Sequence, residues 1–180
     1  MGHDPAHRRA AEALGQGLAA LGIRLVYGGG RVGLMGAVAG AVLAGGGQVS
    51  GVIPFFLAQR EVAHEGLTDL QVTDNMHDRK RAMFAQADAF VVMPGGFGTL
   101  DETMEILTWR QLGLHDKPVL LVDEGGWARP LVALLEACVA AGFAGEESLR
   151  LYQVVADVGA ALRVLGSLSA ADGEVAAERV

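Results

Sequence analysis

Met93-Pro94-Gly95-Gly96-Phe97-Gly98-Thr99-Leu100-Asp101-Glu102 decides how this chain reads. It grows out of an apolar run, Ala89-Phe90-Val91-Val92-Met93, of the kind that forms a buried parallel strand. The residues after it carry apolar side chains at helical spacing. The stretch is a strand-to-helix junction built on glycine. Glycine lets the backbone approach a ligand closely. A helix start presents N–H groups and the positive end of a dipole, and a phosphate suits both. The junction ends in a carboxylate, Glu102. Phosphate binding beside a carboxylate points to chemistry on a nucleotide rather than to its storage.

The same alternation extends in both directions. Strands are expected over Arg24–Tyr27, Val49–Ile53, Asp69–Val72, Ala89–Met93, Val119–Val122 and Tyr152–Val155. Helices are expected over Ala6–Leu21, Gly33–Ala44, His77–Ala87, Thr99–Leu112 and Trp127–Ala141, with a shorter one over Val158–Leu165. Strand and helix in alternation specify an α/β fold: a Rossmann-like, doubly wound parallel sheet with helices on both faces. The first helix has a clear start, Asp4 as N-cap and Pro5 at its first position, and its apolar face runs Ala10, Leu14, Leu18, Leu21. One domain over residues 1–166 is expected, followed by a small, polar tail over 167–180 that reads as disordered.

The chain opens directly on a helix. In a doubly wound sheet the first strand usually lies centrally and carries a ligand loop. That first strand is missing from the pattern here. Either the strand of Tyr27 pairs directly with that of Val91, or the recorded start is internal to a longer protein.

Composition narrows the function classes. The chain has 180 residues, 51% of them hydrophobic, enough for one substantial core. No apolar run approaches the roughly 20 residues of a membrane span. The N-terminus shows no basic segment followed by an apolar one. The single cysteine, Cys138, sits among Ala, Leu and Val and reads as a structural thiol. These features together read as cytoplasmic. A net charge of -7 argues against a nucleic-acid partner and leaves room for a small anionic ligand. The five histidines form no recognisable metal set, and no serine-hydrolase elbow is present.

Each candidate site carries two readings. Gly28-Gly29-Gly30-Arg31-Val32-Gly33-Leu34-Met35-Gly36 is a second glycine junction. It matches neither the dinucleotide fingerprint nor the P-loop, and a tight turn needs glycine in any case. Thr99-x-x-Glu102 has the form of a capping box, with Thr99 as N-cap. Against that, Glu102, Glu105, Trp109 and Leu112 share one face opposite Leu100, Met104 and Leu107, which suits a pocket wall or a subunit contact. Asn75-Met76-His77-Asp78-Arg79-Lys80-Arg81 is either a solvated basic turn or a helix start whose unfavourable positive charge is offset by a nearby anion.

Pro94-Gly95-Gly96-Phe97-Gly98-Thr99-Leu100-Asp101-Glu102 resembles the PGGxGTxxE signature of the LONELY GUY (LOG) family. Val26–Gly30, Gly33–Gly36, Gly51-Val52-Ile53-Pro54, Met76–Lys80, Thr108–Gly113 and Lys117-Pro118-Val119 agree with it. The likeness covers roughly residues 4 to 165. Members of this family are cytokinin riboside 5′-monophosphate phosphoribohydrolases, often mislabelled lysine decarboxylases. The resemblance implies a Rossmann-like homodimer that cleaves the N-glycosidic bond of an adenine-type nucleoside 5′-monophosphate, without metal or cofactor. It places the essential pair on Arg79 and Glu102. Substrate contacts fall on Glu61, Lys80, the loop Gly95, Gly96, Phe97, Gly98 and Thr99, and the turn Gly29, Gly30 and Gly33. Two rivals share some of these features. A molybdenum-cofactor or nucleotide carrier of the same fold would bind without turnover. A pyridoxal-phosphate decarboxylase needs a Schiff-base lysine, and only Lys80 and Lys117 exist.

Overall fold

In a computed structural model the described residues are 2, 4–59 and 66–177, with side chains described through 170. The chain divides into two compact units, Met1–Ala87 with Leu162–Val180, and Asp88–Ala161.

The first unit begins with α1 (Pro5–Ala20), capped as expected: Asp4 Oδ1 accepts from the N–H of Ala6 at 2.8 Å, with Pro5 behind it. β1 (Leu25–Tyr27), α2 (Gly33–Ala44), β2 (Val49–Pro54), the short α3 (Phe55–Ala58), β3 (Asp69–Thr73) and α4 (Met76–Gln86) follow. The three strands form a parallel sheet in the order β1-β2-β3, with Tyr27 opposite Gly51 and Ile53 opposite Val72. β2 is central and all six of its residues are buried, as a strand covered on both faces requires. α1 lies close on α2 because Gly15 has no side chain; a Cβ there would meet Ala41 Cβ at 2.7 Å. Ala10, Leu14 and Leu18 are buried on α1, whereas Leu21 is exposed beyond the helix end.

The second unit carries β4 (Phe90–Val92), α5 (Phe97–Gln111), β5 (Val119–Val122) and α6 (Arg129–Ala140). β6 (Gln153–Val155) follows, then α7 (Val158–Ala177), which continues into the first unit's share of the chain. Its sheet is again parallel, in the order β4-β5-β6, with β5 fully buried. Val92, Leu107, Val119, Leu121, Ala128 and Leu131 form its core, with Phe90, Leu100, Ile106 and Trp127 packed against them.

All six expected strands are present, parallel and flanked by helices. Each unit contributes one three-stranded sheet, β1-β2-β3 in the first and β4-β5-β6 in the second. α7 runs past Leu165 to Ala177, through most of the stretch expected to be disordered. The tail reads as small and polar, yet it carries several alanines, the best helix formers.

Candidate functional site

In the first unit the turn after β1 leads into α2. Gly29 and Gly33 have φ of 76° and 78°, a left-handed backbone that glycine adopts without strain. Gly29 is also packed in, since a Cβ there would meet Ile53 Cβ at 3.1 Å. Glycine at 29 and 33 therefore has a structural reason of its own.

α4 presents Arg79 towards this turn. Its start is capped by Asn75, whose Oδ1 accepts from the N–H of Asp78 at 2.9 Å while its Nδ2 donates to Asp78 Oδ2 at 2.8 Å. Asp78 thus puts a carboxylate in the first turn, where it offsets the unfavourable charge of the arginines and lysine that follow. The sequence calls for a nearby anion, and Asp78 supplies one. Arg79 is only 8% exposed. Its Nε donates to the carbonyl of Val52 at 3.2 Å, and its Nη2 occupies the place of a Cβ at Gly28. The structure brings together Arg79, the central strand and the first glycine turn, while Lys80 is half-buried beside it on the helix. The expected contact Glu61 lies outside the described residues.

In the second unit the signature junction opens differently from the capping-box reading. The N-cap is Gly96, with φ −104° and ψ −152°, and α5 starts at Phe97. Thr99 therefore lies inside the first turn and Glu102 in the second. Thr99 is not the N-cap, and Gly96 has no side chain to cap with. What fixes Thr99 is Gly95: a Cβ there would fall on the Thr99 hydroxyl. Gly96 and Gly98 differ, since a Cβ at either would meet nothing within 4 Å. Phe97 between them is 92% exposed. The result is a helix start whose N-cap carries no side chain, edged by two glycines that packing among the described residues does not require.

Glu102, Glu105 and Trp109 are half-buried on α5, and Leu112 beyond its end is 68% exposed. The core face is Leu100, Thr103 and Leu107, with Thr103 where Met104 was expected. Thr103 is buried because its hydroxyl donates to the Thr99 carbonyl at 2.6 Å, which satisfies it inside the helix. Met104 is 41% exposed instead. Arg79 and Lys80 thus belong to the first unit, and Gly95–Thr99 and Glu102 to the second. Sequence reasoning missed the part of Gly28, because a glycine's neighbour 51 residues away leaves no local pattern.

The family described as "Possible lysine decarboxylase" matches residues 35–165. A cytokinin riboside 5′-monophosphate phosphoribohydrolase from Rhodococcoides fascians is 50% identical over 134 residues, 74% of this chain and 68% of that protein. The cytokinin riboside 5′-monophosphate phosphoribohydrolase LOG of Oryza sativa subsp. japonica is 45% identical over 150 residues, 83% of this chain and 62% of that one. Among solved structures, the molybdenum cofactor carrier protein of Chlamydomonas reinhardtii superposes with a TM-score of 0.69 at 24% identity. That match covers 93% of this chain and 90% of the carrier, and shows the shared fold. Through its matched region and these relatives, the chain belongs to the LONELY GUY family.

Proposed function

We propose that this chain hydrolyses the N-glycosidic bond of adenine-type nucleoside 5′-monophosphates, cytokinin riboside 5′-monophosphate or AMP, to the free base and ribose 5-phosphate. The observation that carries this reading is the start of α5, whose N-cap Gly96 has no side chain to cap with and which is edged by the open glycines 96 and 98. First-turn N–H groups have no partner within their own helix, and a dipole's positive end favours an anion there. The 5′-phosphate sits on the N–H groups of Gly96, Gly98 and Thr99, with Gly95 holding Thr99 in place and Phe97 flanking. Gly29, Gly30, Gly33, Lys80 and Glu61 complete the substrate contacts.

Breaking the bond to the base builds oxocarbenium character on the ribose. Glu102 stabilises that charge and positions or deprotonates the attacking water. Arg79 orients the nucleotide and stabilises the departing base; a guanidinium stays protonated, so it acts by charge and hydrogen bonds. The names of the relatives favour cytokinin nucleotides. The exposed Met104, Leu112 and Leu114 support a homodimer. No helix of the described residues is long and apolar enough to cross a membrane. A cytoplasmic location is part of the proposal.

Chromatographic detection of free base tests the proposal. AMP and isopentenyladenosine monophosphate are incubated separately with the wild type and with Glu102→Gln. Release by the wild type alone supports it. Binding without release by a folded wild type favours a carrier instead.

A further inference from the structure

We infer that Gly28 is a positioning residue for Arg79: its missing side chain is the seat in which the guanidinium rests. The inference builds on the proposed hydrolase reading, which gives Arg79 its task. Gly28 differs from its neighbour Gly29. Its backbone is outside the left-handed region, so conformation alone does not demand glycine there. What demands it is space. A Cβ would fall on Arg79 Nη2, and would lie 3.1 Å from Arg79 Cζ and 3.4 Å from Met35 Sδ. These contacts come from the tips of flexible side chains rather than from backbone.

An alanine at 28 therefore displaces the guanidinium rather than the backbone. The arginine is held deep in its unit. It is only 8% exposed, and its Nε is tied to the Val52 carbonyl at 3.2 Å, 27 residues away in sequence. That bond anchors one edge of the planar guanidinium, and Gly28 receives another. Together they define the plane and depth of a group whose work depends on aim. A misplacement of about 1 Å costs about 10²-fold in rate for a well-oriented reaction. Gly28 accordingly touches no substrate itself and acts through Arg79.

The test is a double-mutant cycle on the full chain, read in two ways. Wild type, Gly28→Ala, Arg79→Ala and the double variant are compared for base release from AMP and for melting temperature. Gly28→Ala is expected to lower kcat/KM by about 10²-fold. The double variant should be no slower than Arg79→Ala alone, because the seat has no role once its occupant is gone. Gly28→Ala should also lower the melting temperature, and removal of the arginine should restore that loss. A Gly28→Ala variant that fails to fold while the double variant folds also supports the seat. Activity of Gly28→Ala within twofold of wild type overturns the inference, as do rate losses that multiply in the double variant. A wild type that releases no base from any nucleotide overturns the hydrolase reading instead. In that event the coupling between the melting temperatures decides, by its presence or absence, whether Gly28 seats Arg79.

Discussion

Gly95 yields its side-chain position to Thr99: a Cβ built on the glycine would land on the threonine hydroxyl. Three residues on, a Cβ on Gly98 would meet nothing within 4 Å. The signature therefore holds glycines of two kinds, one set by packing and one left open. Gly95→Ala should destabilise by about 1–3 kcal/mol through overpacking. Gly98→Ala should leave the fold as stable or raise it by about 0.4–1 kcal/mol, because alanine loses less entropy in a helix. It should nonetheless raise the KM for AMP about tenfold or more, since its methyl enters the space assigned to the phosphate. Calorimetry and steady-state kinetics on the two variants check this. An unchanged KM in Gly98→Ala would remove the phosphate from this turn.

Glu102 is not the closing residue of a capping box, because Gly96 caps the helix and Thr99 lies within it. Neutralising it therefore removes no capping-box bond. Glu102→Gln should lower kcat by about 10²–10⁴-fold, the usual contribution of a positioned acid or base. Its melting temperature should stay within a few degrees of wild type. Full turnover in a folded Glu102→Gln enzyme removes the carboxylate from the chemistry.

Arg79 offers a sharper comparison than charge removal. Lysine keeps the positive charge, but loses the planar fork and the Nε bond to Val52. Arg79→Lys should lower kcat/KM by about 10²-fold. Wild-type kinetics in this variant would show that a point charge suffices and that the orientation set by Val52 is immaterial.

The order of elements was legible because parallel strands buried on both faces read as apolar runs between glycines. Val49–Pro54 and Val119–Val122 are buried throughout and stand out for that reason. The start of α5 was less legible. Thr-x-x-Glu fits a capping box, and only the backbone at Gly96 shows that the helix begins two residues earlier than Thr99. The burial of Thr103 over Met104 was invisible for a related reason: a threonine satisfied by the carbonyl four residues back hides its polarity. Arg79 could be singled out by motif. Its anchors at Val52 and Gly28 could not, since both are long-range contacts to backbone.

Tyr27 supplies the last prediction. It is 6% exposed at the end of β1, and among the described residues its hydroxyl has no hydrogen-bond partner. Burial pushes its pKa from 10.0 up to about 12. The folded state thus holds the phenol proton more tightly than the unfolded state does. Its contribution is fully present below pH 10 and is lost as pH rises from 10 towards about 12. Phenylalanine has no proton to lose and no hydroxyl to leave unpaired. At neutral pH Tyr27→Phe should be neutral or stabilising by up to about 1 kcal/mol, since an unsatisfied buried hydroxyl is removed. At pH 11 the variant should gain further on the wild type. Urea denaturation at pH 8 and pH 11 measures both differences. An alkaline loss of stability as steep in Tyr27→Phe as in wild type would assign that loss to other groups.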